Sequence, residues 1–99
     1  MTVHAPIAAD PIASFMPWIE DNERQLRRRI LRCQQIAGTR AKAAETERAR
    51  LLFWTACDIA AETAFAPAKP DHLKDVIATL TRLFMAAGAI DDWSADNGR

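Results

Sequence analysis

The sequence predicts an all-α fold: a small helical bundle built on a long antiparallel helical hairpin, with a third helix packed on the second and a short helical turn ahead of the first. Three observations carry this expectation. Of the 49 % of residues that are apolar, 20 are alanine, which favours helix and lets helices pack closely. There are only two valines, no tyrosine and no alternating run closed by Asn-Gly or Asp-Gly, so nothing reads as a sheet. Finally, apolar residues recur at helical spacing in three stretches, each bounded by a capping or helix-breaking residue.

Asp10-Pro11 pairs a capping side chain with proline at a first helical position, which predicts a short turn after an N-terminal segment of residues 1–10. Pro17 offers a second start, so residues 11–37 read as the turn plus the first main helix. On that helix Ile19, Leu26, Ile30, Cys33 and Ala37 form one stripe, with Trp18 and Ile36 at its edge. Arg24, Arg28 and Arg32 fall on the opposite side. Gly38 supplies a stop and Thr39 a cap for the next helix.

Residues 40–65 contain neither proline nor glycine and read as one helix of about 39 Å at 1.5 Å per residue. Its first half is charged; its second half is apolar around most of its circumference. The segment 66–70 (APAKP) ends it, and Asp71 caps a third helix over residues 71–87. There Leu73, Val76, Ile77, Leu80, Leu83, Phe84 and Ala87 form the cleanest amphipathic pattern in the chain, stopped by Gly88. Residues 89–99 read as an acidic tail. The joint at 37–39 forces the first two helices antiparallel, and the third is too short to cover the charged half of the second. The hairpin tip, residues 28–48, is therefore expected to project beyond the core.

Ninety-nine residues make one helical domain, 1–99, able to bury roughly 60 to 70 % of its unfolded surface in a single core. Cys33 and Cys57 lie within helical patterns, which predicts small buried thiols in a reducing compartment rather than a disulfide framework. The N-terminus lacks the basic start and apolar run of a signal peptide, and no apolar stretch is long enough for a membrane, so a soluble, cytoplasmic protein is expected.

The chain carries none of the glycine-rich, nucleophile-elbow or metal-protease motifs that announce chemistry. His4 sits in the terminal segment. His72, beside Asp71 and one turn from Asp75, reads as an exposed first-turn residue. Asp58 and Glu62 share a helix edge without a histidine partner, a weak metal signal. The expectation is a non-enzyme with no metal and no cofactor.

Zero net charge hides an asymmetry. Residues 24–50 hold nine basic and two acidic side chains, and eight of the nine are arginine, which forks onto carboxylate or phosphate. Arg24, Arg27, Arg28, Leu31, Arg32, Arg40, Lys42 and Arg48 are the candidate partner-binding residues at the tip. A protein carboxylate patch is the favoured partner. The alternative is a nucleic-acid-binding accessory role through phosphates. Against it stand a pI of about 6.7 and the absence of any aromatic residue from 19 to 52 on which a base could stack. The apolar surplus of the second helix, Leu51, Leu52, Phe53, Trp54 and Phe65, predicts a homodimer interface. The functional expectation is an adaptor, assembly factor or inhibitor that acts by binding another protein.

Overall fold

The computed structural model describes residues 10 to 97, with side chains described as far as Asp92. His4, most of the predicted N-terminal segment and the last two residues of the predicted tail lie outside the described residues. Among the described residues four helices form an all-α bundle: α1 (Pro11–Phe15), α2 (Asp21–Ala43), α3 (Glu47–Ala64) and α4 (Pro70–Asn97). α2 and α3 make the antiparallel hairpin, α4 packs against both, and α1 sits on α2. None of these helices is long and apolar enough to cross a membrane.

α1 starts where the sequence places it. The Asp10 carboxylate accepts from the Ile12 N–H at 3.1 Å, and Pro11 occupies the first turn, where its missing N–H costs nothing. Ile12 is fully buried. Pro17, by contrast, does not start the main helix. The Ile19 N–H donates to the Met16 carbonyl, so Pro17 and Trp18 form the corner of a turn, and α2 begins four residues later at Asp21.

Both interior glycines were expected to stop a helix, and neither does. α2 runs through Gly38 to Ala43, and Thr39 is an interior residue whose hydroxyl donates to the Gln35 carbonyl. The hairpin therefore turns at residues 44–46 rather than 37–39, and α3 is 18 residues long, not the 26 of the segment 40–65. Continuing α2 buries Ala41 and brings Ala44 against Ala49 and Phe53, which outweighs the modest helix preference lost at one glycine. Thr46 is the true cap, its hydroxyl accepting from the Ala49 N–H at 3.1 Å.

α4 likewise passes through Gly88 and continues to Asn97, so residues 89–97 are helix rather than tail. This extension corrects the expected shape. Ala87 is buried and Ile90 packs on the cluster of Ala41, Ala44, Ala49 and Phe53, so the hairpin tip is covered instead of projecting. The Asp91 carboxylate accepts from the N–H groups of Glu45 and Thr46 and from the Thr46 hydroxyl, tying α4 to the turn.

The larger core cluster follows the predicted stripes: Leu26, Ile30 and Ala37 of α2 meet Leu73, Val76, Ile77 and Leu80 of α4, with Leu83 and Phe84 packed at the side. Ala56, Ala60 and Ala64 of α3 are all fully buried between them. Small residues along this line let two helices approach α3 closely, and the large ones of α4 supply the volume.

Candidate partner-binding surfaces

Arg27 is not a surface residue. Its side chain is 1 % exposed, and its guanidinium donates to the carbonyls of Thr63, Ala64 and Ala66 and to the Glu23 carboxylate at 2.7 to 3.3 Å. The last carbonyls of α3 have no partners within their own helix, and a planar fork of five donors satisfies several at once. The sequence places Arg27 in the basic run but carries no sign that it turns inward to end a neighbouring helix.

The other cations of α2, including Arg29, which the sequence did not single out, divide with Arg48 into two groups. Arg24 pairs with Asp21 at 3.0 Å and donates to the Ile19 carbonyl, while Arg28 pairs with Asp10 and so anchors α1. Partial burial pushes the Asp10 carboxyl up. The Arg28 hydrogen bond and charge and the N–H groups of Ile12 and Ala13 outweigh this and hold it below its ordinary value. Arg29, Arg32, Arg40, Lys42 and Arg48 are exposed and make no ion pair among the described residues. Arg40 lies over the Phe53 ring, 5.0 Å from its centroid.

No acidic residue occurs between 24 and 44, so beyond its first turn α2 contributes only basic charges. Ile36, expected at the edge of the buried stripe, instead stands 40 % exposed amid these charges. With Arg32, Gln35, Thr39 and Arg40 it lines a shallow depression of about 260 Å³. Leu31 is half-buried against the main core and contributes little free surface. A second cleft, of about 500 Å³, opens between the α1–α2 link and the α3–α4 link, with Trp18, Ile19, Glu20 and Pro67 among its walls.

The five residues predicted as an oligomer interface are also split. Phe53 is core: it is 1 % exposed and stacks at a tilt on Phe84, with centroids 6.0 Å apart. Leu52 is half-buried against the same cluster. Leu51, Trp54 and Phe65 are exposed, and the Phe65 ring meets Phe15 edge-on at 5.3 Å. Phe15 and Trp18 do not close the core from the N-terminal side; both are among the most exposed large side chains.

Asp58, Glu62 and His72 are all exposed, and among the described residues no group of three His, Cys, Asp or Glu side chains is placed to hold a metal ion. Burial pushes the Cys33 thiol up against the pull of Arg29. Burial and Asp58 push Cys57 up against the pull of Lys42. Neither environment activates a nucleophile. Comparison with protein-family models, with curated proteins and with solved structures finds no match.

Proposed function

We propose that this chain is a non-catalytic protein-binding domain, an adaptor, assembly factor or inhibitor, that engages a carboxylate-bearing partner through the outer side of α2. The observation that carries this reading is the acid-free stretch 24–44, in which Arg29, Arg32 and Arg40 stand exposed along the side of α2 that carries the apolar Ile36. Forked guanidinium contacts recognise carboxylates, and an apolar residue beside them gives a protein side chain something to pack on. Phosphate backbones gain nothing from Ile36. The acidic residues of α4, Asp71, Asp75, Asp91 and Asp92, oppose the approach of a long polyanion.

The test uses Arg29→Glu with Arg32→Glu, because Arg24 and Arg28 are engaged within the chain, with Asp21, the Ile19 carbonyl and Asp10, and replacing them would confuse loss of binding with loss of α1 docking. Proteins captured from the native host by the wild type, with nuclease present, should be lost with this double variant while its melting temperature is unchanged. Capture that disappears on nuclease treatment alone would assign the same cations to nucleic acid.

A further inference from the structure

Leu51, Trp54, Asp58, Ala61 and Phe65 recur at intervals of three, four, three and four residues, which places the first four along one side of α3 and Phe65 at the cap that ends it, and all five are exposed. This is the spacing of a two-heptad seam, about 21 Å long at 1.5 Å per residue. The fold does not need it: α3 fills the core with a different line, Ala49, Phe53, Ala56, Ala60 and Ala64. Leu51 is 59 % exposed, Trp54 37 % and Phe65 38 %. Phe15, set edge-on against Phe65, lengthens the apolar strip at one end. A methyl group at Gly38 would lie 4.0 Å from the Trp54 ring, so α2 borders the strip closely on one side.

We propose that this seam is a second docking surface, distinct from the cationic side of α2, and that its occupant is an amphipathic helix of another protein carrying a lysine or arginine in the layer that faces Asp58. The apolar members demand a helix with matching apolar seam residues. Asp58, at the centre of the seam, decides between partners. A second copy of this chain that matches all five layers of the seam, parallel or antiparallel, sets Asp58 against Asp58 of the partner copy. Two carboxylates brought together in a desolvated layer repel each other. A foreign helix with one cation at that layer turns the same residue into a charge-assisted pair. Glu62, one turn from Asp58 and also exposed, adds to the same preference.

The inference stands on α3 alone and does not require the α2 surface to bind anything. Two synthetic amphipathic helices of about three heptads serve as probes, with leucine at every seam position except one central layer, which holds lysine in one peptide and glutamate in the other. In titration calorimetry the lysine peptide should bind the full chain, and the glutamate peptide at least about tenfold more weakly. Asp58→Lys should reverse that order, and Leu51→Ser should weaken both peptides without changing the melting temperature. Arg29→Glu with Arg32→Glu should leave peptide binding unchanged, which separates this surface from the one proposed above. Equal affinity for the two peptides, or no binding of the lysine peptide at about 100 µM, overturns the proposal. So does a dimer in sedimentation equilibrium that Leu51→Ser dissolves, which would make a second copy the occupant.

Discussion

The carboxylate of Asp91, near the end of α4, accepts hydrogen bonds from the backbone N–H and the hydroxyl of Thr46, 45 residues earlier in the chain, at 3.2 and 3.1 Å. Thr46 in turn caps α3 through the Ala49 N–H. One acidic side chain therefore holds the cap that starts the neighbouring helix, and its second oxygen takes the Glu45 N–H. Asp91→Ala should cost about 1 to 2 kcal/mol in urea unfolding, because it removes the acceptor that the two turn N–H groups and the Thr46 hydroxyl share. Amide exchange at Glu45 and Thr46 should speed up more than at Leu80. Ending the chain after Gly88 should destabilise further, since Ile90 is lost from the core cluster as well.

Gly38 and Gly88 both lie inside helices, and at each a methyl group would meet its nearest neighbours at 3.8 Å or more. Replacing either with alanine should raise stability by about 0.5 to 1 kcal/mol through helix propensity. A fall in melting temperature for Gly38→Ala would restore the glycine-stop reading of the hairpin.

Arg27→Met removes a buried guanidinium from Glu23 and from four carbonyls, those of Thr63 and Ala64 at the end of α3 and of Ala66 and Ala68 just beyond it. The expected loss is about 3 to 5 kcal/mol in chemical denaturation, since a carboxylate and several acceptors are left without their donor. Arg27→Lys should recover only part of this, because an ammonium is a point charge rather than a fork.

Phe53 and Leu51 are two residues apart and should respond in opposite ways. Phe53→Ala opens a cavity beside Phe84 and should cost about 3 to 5 kcal/mol. Leu51→Ser should stay within about 0.5 kcal/mol by the same thermal or urea melt, as expected for a surface change.

Asp10 carries a pH dependence of defined sign. Its carboxyl is held below its ordinary value in the folded protein, so its contribution is fully present above the ordinary carboxylate range and is lost as pH falls through the depressed value. The stability difference between wild type and Asp10→Asn should accordingly shrink between about pH 5 and pH 2. The Ile12 amide resonance should titrate with it, because that N–H donates to the same carboxylate. A difference independent of pH across this range would show that Asp10 contributes no charge-dependent stability.

The sequence by itself determined the helical class, the antiparallel hairpin, the cap on α1 and the buried stripe of α4, because periodicity and capping act within one turn of helix. It also showed the run of cations between 24 and 50, although the sequence shared them between two helices and gave no sign that Arg27 is buried. What it could not determine was where α2 and α4 end. A glycine stops a helix only when nothing is gained by continuing, and here Ala41, Ala44, Ala87 and Ile90 gain burial beyond each glycine from contacts made by other helices. Arg27 and Arg28 are adjacent and alike in sequence, yet one seals the end of α3 and the other grips Asp10 at the surface. Phe53 and Trp54 are both aromatic neighbours on α3, yet only the first faces Phe84. These distinctions belong to tertiary structure, because the direction of a side chain on a helix is a local property, whereas what waits there is set by residues 18 to 37 positions away.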